Sequence, residues 1–228
     1  KKSKIFLETF IVFIVSLRTF APQILQVKEQ ILKTAAEMFI NLGFKSVTMD
    51  DIAQSQGISK KTIYNHFPTK TKLVEATTYY VLEEITMGIE KIREKKFNPV
   101  VELFEIKHFT MSHLKDERSS PQFQLEKYYP QIFKVVKKHH LEQMESHVSK
   151  NIEQGKLDGL YRNDIEVEFI SKLYFIGILG TKDPDFFPPE RFSAQDLYEK
   201  FLEYHLRAIV TEEGLKVLQE YLTTNKNE

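Results

Sequence analysis

The chain contains no cysteine. A disulfide scaffold, a thiolate zinc site, an iron–sulfur cluster and a cysteine nucleophile are therefore excluded. Glycine and proline are scarce, eight of each in 228 residues, too few for a loop-rich all-β protein or a low-complexity linker. The apolar run Phe10–Val15 falls far short of the ~20 residues of a membrane span. Formal net charge is zero, so the chain as a whole does not advertise a polyanionic partner. What is present is ordinary globular composition, 42% hydrophobic and 28% charged, which excludes a disordered chain. The length allows one compact fold or two small domains, with enough residues for a sizeable core.

The zero net charge conceals segregation. Residues 27–76 carry seven lysines against five carboxylates, and residues 77–228 carry a net −5. A mildly basic module followed by a larger acidic one is a two-domain pattern, and it permits nucleic-acid binding by the first part. Residues 1–26, at net +3, form an N-terminal extension of doubtful role. Lys1–Leu17 has the basic start and apolar stretch of a signal peptide. Glu8 interrupts that stretch, and no A-x-A site follows it. Three readings stay open: sequence foreign to the native chain, an extra amphipathic helix, or a segment directing export or membrane attachment. Pro22 separates it from the rest.

From Val27 onward the apolar spacing is helical, and the fold class is all-α. Val27, Ile31, Ala35, Phe39 and Leu42 line one helix face, and Gly43 is placed to end that helix. The pattern predicts short helices from Met49 to about Gln56 and from Lys60 to about Phe67, then a long helix from Thr69 or Thr71 to about Lys96, ended by Asn98-Pro99. Further helices are expected over Val101–Leu114, Gln122–Tyr129 (ended by Pro130), Gln131–Gln154, Asp164–Leu179, Ser193–Val210 and Glu212–Leu222. A loop is expected at Asp116–Pro121, and a turn bounded by Gly155 and Gly159. There is no repeat, no strand alternation and no glycine-rich phosphate loop.

The informative stretch is Thr48–Phe67. Two short helices are joined by Gln56-Gly57-Ile58, with Thr48 and Ser59 as N-caps and apolar anchors at Ile52, Ala53, Ile58, Ile63 and Phe67. This is a helix-turn-helix: Ala53 allows close approach and Gly57 serves the sharp turn. Ile63 and Phe67 point inward. Lys60, Lys61, Thr62, Asn65 and His66 face away, with Tyr64 beside them, which suits the major groove, where donors and acceptors on base edges are read.

With those residues in place, 27–73 resembles the N-terminal domain of the TetR family of bacterial transcriptional regulators. The matching residues are Ile31, Ala35, Phe39, Gly43, Thr48, Ile52, Ala53, Gly57, Ser59, Ile63, Tyr64, His66, Phe67, Lys70 and Leu73, with the run Ile63-Tyr64-x-His66-Phe67-Pro68-x-Lys70 the most diagnostic. Residues 74–228 match the family in outline, as a helical ligand-sensing and dimerisation domain. The resemblance implies that Thr48, Tyr64, His66 and Lys70 contact phosphates, that Ser59, Lys60, Lys61 and Thr62 sit at the base-facing start of the recognition helix, and that Asn65 does either. Tyr64 could instead pack, His66 could be a spacer, and Thr48 caps its helix in any case.

The expected function is a TetR-like DNA-binding regulator, a cytoplasmic repressor released from a palindromic operator by a small-molecule effector. One helix-turn-helix at net +2 has a weak electrostatic footprint, so a homodimer on half-sites roughly 34–36 Å apart is expected. Candidate dimer residues are Ile170, Leu173, Ile176 and Gly177 on one helix and Leu197, Phe201, Leu202, His205 and Ile209 on the next, because apolar residues ring the first of these almost completely. Candidate walls of an apolar or aromatic effector pocket are Phe104, Phe109, Tyr128, Phe133 and Tyr174, with His108 as a polar handle. No cofactor and no metal are expected: cysteine is absent, and no two histidines fall four apart on one helix. No nucleophile–base pair or paired acids with catalytic spacing are recognisable, so an enzyme is not expected. The alternative is a membrane-tethered or exported helical protein directed by residues 1–20.

Overall fold

A computed structural model describes residues 26–113 and 121–225 of the chain. The readings made for residues 1–25 and for the loop before Pro121 lie outside the described residues, as does the side chain of His113. Among the described residues ten helices form, and they divide into two compact units after Val81.

In the first unit, helix α1 (26–42) ends where Gly43 turns to φ +87° and its N–H bonds to the Phe39 carbonyl at 3.0 Å. Only glycine adopts that conformation without strain. Phe44 then folds back to stack on Phe39, ring centroids 5.0 Å apart. α2 (Met49–Gln56) and α3 (Lys60–His66) follow, and α4 (Lys70–Glu94) begins after Pro68 with Thr69 as its cap, its hydroxyl accepting from the Lys72 N–H at 3.1 Å. Ile31, Ala35, Phe39, Ile52, Ile63 and Leu73 converge in the core of this unit, each at most 1% exposed. Each fully buried Ile or Leu there favours the fold by about 1.5–3 kcal/mol. The division between the units falls inside α4, somewhat beyond the boundary at Leu73 that the motif suggests.

The second unit holds the end of α4, then α5 (Pro99–His113), α6 (Pro121–Tyr128), α7 (Pro130–Leu157), α8 (Val167–Thr181), α9 (Ala194–Ile209) and α10 (Glu212–Asn225). Pro99 and Pro130 open helices rather than closing the preceding ones. The first helical turn has free N–H groups anyway, so proline costs nothing there. Asn98 completes the start of α5, its side-chain oxygen accepting from the Val101 N–H at 3.0 Å.

Gly155 does not bound a turn either; α7 runs through it to Leu157. The glycine is there because the Tyr161 ring lies where a Cβ would be, with ring carbons 2.1–2.5 Å from that position. Gly159, at φ +72°, makes the turn. Tyr161 is 1% exposed, and its hydroxyl donates to Asn151 Oδ1 at 3.1 Å. The Asn151 amide donates in turn to the Pro99 carbonyl at 3.0 Å and to Glu102 at 2.9 Å. Burial raises the Tyr161 phenol well above the usual tyrosine range. Backbone bonds from Arg162 N to the Ile209 carbonyl and from Thr211 N to the Leu160 carbonyl, both 2.9 Å, tie the α7–α8 connection to the α9–α10 junction. Ile152, Leu202, Leu206 and Leu218 fill the core beneath.

Candidate nucleic-acid interface

The recognition unit is built by caps. Thr48 is extended, and its side chain accepts from the Asp51 N–H at 3.2 Å, while the Thr48 N–H and hydroxyl both donate to the Asp51 carboxylate at 2.8 Å. This reciprocal capping box satisfies two free donors of the first turn. The Thr48 hydrogen bonds, backbone first, hold the Asp51 carboxyl below its usual range, and the Lys70 charge helps. Gly57 ends α2 at φ +64°, and the Ile58 N–H closes the turn on the Ala53 carbonyl at 3.0 Å. Ser59 starts α3 by accepting from the Thr62 N–H at 3.1 Å, and the two hydroxyls lie 2.8 Å apart.

These caps sort the nine residues proposed for DNA contact. Thr48, Ser59 and Thr62 have their hydroxyls engaged in starting helices. Lys60 reaches back across the turn to Asp50, with Nζ 2.8 Å from both carboxylate oxygens. That bond raises the Lys60 pKa above the ordinary lysine value. Lys70 is half-buried and donates to the Lys45 carbonyl at 3.4 Å; burial lowers its pKa. His66 is half-buried, its ring tilted 6.4 Å from Phe67. Lys61, Tyr64 and Asn65 remain exposed on the outer face of α3, and among the described residues no partner engages Lys61 or Asn65.

The Asp50–Lys60 pair was not foreseen, since the two lie ten residues apart on different helices. Gln56 was missed as well. Its amide donates to the Gln30 carbonyl and to Thr34 Oγ1, the latter at 2.8 Å, fixing α2 to α1. Lys28 completes the support, with Nζ 6.0 Å from the Phe67 ring centroid.

Residues 31–77 match the family described as bacterial regulatory proteins, tetR family. The transcriptional repressor KstR2 of Mycolicibacterium smegmatis is 26% identical over 208 residues, covering 83% of this chain and 93% of the relative. Together these findings indicate a TetR family regulator. It is a DNA-binding transcriptional regulator. The transcriptional activator FasR of the same organism shares 32% identity over 62 residues, 27% of this chain and 28% of FasR. Among solved structures, a TetR family regulator from Agrobacterium tumefaciens has a TM-score of 0.63 at 18% identity, covering 82% of this chain and 99% of that one. The ketosteroid regulator KstR2 of Mycobacterium tuberculosis has a TM-score of 0.54 at 20% identity, covering 81% and 95%. These two likenesses concern the fold.

In the second unit, the residues proposed for dimerisation separate into two sets. Leu197, Leu202, His205 and Ile209 are buried within their own unit and present little surface to a partner. Ile170 and Phe201 also pack against that core. Gly177 admits the Phe201 ring, 2.1 Å from where a Cβ would stand, so it serves α8–α9 packing inside the subunit. What α8 leaves outside is a stripe of Phe169, Leu173 and Ile176, which are 59%, 49% and 63% exposed, with Tyr204 of α9 at 73%. Phe169 and Tyr204 were not among the predicted residues; the three- and four-residue spacing of 169, 173 and 176 is the signal that could have found the first.

The proposed pocket residues do not surround one space. Phe104 stacks on Tyr221 at 4.3 Å, and Tyr174 lies edge-on to His205 at 4.7 Å; both are core. Phe109 covers Gly88. Phe133 is buried beneath Lys137, while Tyr128 is exposed. His108 alone of the six lines an open cleft of about 260 Å³, with Lys107, Met111, Ser112 and Gln195. The Lys107 side chain is 2% exposed and pairs with Glu199, itself 48% exposed. Among the described residues no group of three or more His, Asp or Glu is placed to hold a metal, and no helix is long and apolar enough to cross a membrane.

Proposed function

We propose that this regulator acts in the cytoplasm as a homodimeric repressor, seated on a palindromic operator and released by an apolar or aromatic small molecule. The observation that carries the DNA-contact part is the outer face of α3, where Lys61 and Asn65 stand free while their neighbours are committed to caps and ion pairs. A lysine pairs with guanine acceptors and an asparagine with adenine, each worth about 1–3 kcal/mol of discrimination. Residues 27–73 supply this contact, with Thr48, Tyr64, His66 and Lys70 toward phosphates. Residues 74–228 supply sensing and dimerisation.

The Phe169–Leu173–Ile176 stripe supports the dimer, because a contiguous exposed apolar helix face marks an interaction surface. Repression is favoured over activation because the match to the repressor KstR2 extends along most of both chains, whereas the match to the activator FasR is short. The effector would enter the second unit and change the equilibrium by binding one conformation more tightly than another. Leu173→Glu tests the arrangement. It places a charge on the stripe without touching the first unit, so sedimentation should show a monomer and binding to a two-half-site duplex should fall at least tenfold. A variant that remains dimeric with unchanged affinity contradicts the assignment of α8 to the dimer face.

A further inference from the structure

The first side chain of the recognition helix is occupied before any DNA arrives. Lys60 opens α3 and Asp50 lies in the first turn of α2, and Nζ touches both carboxylate oxygens at 2.8 Å. Both ends are held by rigid supports. Asp50 lies within the Thr48–Asp51 capping box, Lys60 follows the Ser59 cap, and the Gly57 turn fixes the crossing of the two helices. The pair is solvent-exposed, at 56% and 61% for the two side chains. It therefore adds little to stability, since surface pairs are worth about 0–1 kcal/mol.

Its consequence lies elsewhere. Asp50 puts a carboxylate beside Lys60 and at the positive end of α2, where a phosphate would otherwise be drawn. Sequence-independent affinity scales with the number of phosphates that lysines neutralise. A lysine bound at short range to both oxygens of a carboxylate is withheld from that count.

We propose that Asp50 is a specificity-determining residue: it holds Lys60 away from the phosphate backbone and so keeps binding to arbitrary DNA weak, leaving base reading to Lys61 and Asn65. The inference rests on the DNA-binding reading and adds to it a negative element particular to this chain. Asp50→Asn keeps the size of the side chain and removes its charge. Freed Lys60 then engages one phosphate per subunit.

The test uses a random-sequence duplex, so that no operator need be known. Affinity is measured against salt for the wild type, Asp50→Asn, Lys60→Met and the double variant. The slope of log K against log salt should steepen by about 0.9 per subunit in Asp50→Asn. Between about 50 and 200 mM salt, its advantage over the wild type should shrink about 3.5-fold per subunit. The double variant, which like the wild type carries no net charge at this pair, should match the wild-type slope, and Lys60→Met, which leaves the Asp50 carboxylate unpaired, should bind no more tightly than the wild type. Melting curves alongside show whether each variant is folded; both side chains are exposed, and the double variant separates the effect of the freed lysine from that of the lost carboxylate.

A double variant whose slope is as steep as that of Asp50→Asn overturns the proposal, because loss of the carboxylate without any freed lysine would then explain the gain. An unchanged Asp50→Asn slope overturns it too. If the wild type binds no duplex even at low salt, the DNA-binding reading falls and takes the proposal with it.

Discussion

Gly155→Ala should destabilise the protein although it improves a helix. Alanine in place of glycine at a helix interior is worth about 1 kcal/mol in the favourable direction. The new methyl would meet three carbons of the Tyr161 ring at 2.1–2.5 Å, against an ordinary contact of about 3.5–4.0 Å. The ring must retreat by more than an ångström or the helix must shift. Overpacking of this kind costs about 1–3 kcal/mol. Retreat also pulls the Tyr161 hydroxyl from Asn151 Oδ1, leaving a buried acceptor unsatisfied at about 1–3 kcal/mol. The net expectation is a loss of about 1–5 kcal/mol. Urea unfolding followed by tyrosine fluorescence measures it, at fixed protein concentration because association shifts the midpoint. In a Tyr161→Leu background the penalty should shrink by at least about 1 kcal/mol, since part of the obstruction is gone. A Gly155→Ala protein more stable than the wild type would refute the reasoning, and with it the account of why α7 contains that glycine.

Other consequences concern charge. Burial of His205 lowers its pKa to about 4, so the unfolded chain binds the extra proton between about pH 6.5 and 4. Stability is therefore whole above pH 6.5 and declines by about 3 kcal/mol as pH falls to 4; His205→Phe should flatten that part of a urea-midpoint-against-pH curve. Asp51 works through the opposite charge with the same pH direction: its depressed carboxyl pKa gives stability that is complete above about pH 4 and lost as pH falls through the folded-state value. The stability gap between wild type and Asp51→Asn should thus narrow as pH falls below about 4. For the Lys107–Glu199 pair, Glu199→Ala strands a buried amine and should cost about 3–5 kcal/mol, whereas Lys107→Met leaves a half-exposed carboxylate and should cost much less. Equal losses in thermal melts would show that the amine is not as enclosed as described.

The recognition unit was legible because each of its boundaries is local chemistry. Thr48, Gly57, Ser59 and Pro68 announce α2 and α3 within a few residues of where they act. Pro99 and Pro130 were misread for a related reason: proline marks a boundary, and which helix it belongs to depends on the three residues that follow. Gly155 was beyond local reading, because its cause is a ring six positions later that returns through a turn. The apolar stripe of α9 was visible, but periodicity does not distinguish a subunit's own core from its partner, and Leu202 and Ile209 proved to belong to the former. Asp50 and Lys60 look like ordinary surface charges until the crossing of α2 and α3 brings them together.

The central claim is that the outer face of α3 reads operator DNA through Lys61. Selection of genomic fragments by the purified protein, beside Lys61→Ala and at two salt concentrations, tests it most directly. The account predicts a two-fold symmetric sequence, enriched by the wild type, weakened by about 1–3 kcal/mol in the variant with relaxed preference at one position of each half-site, and bound less tightly at higher salt. A sequence enriched equally by Lys61→Ala, or no enriched sequence from a folded dimer, would contradict it.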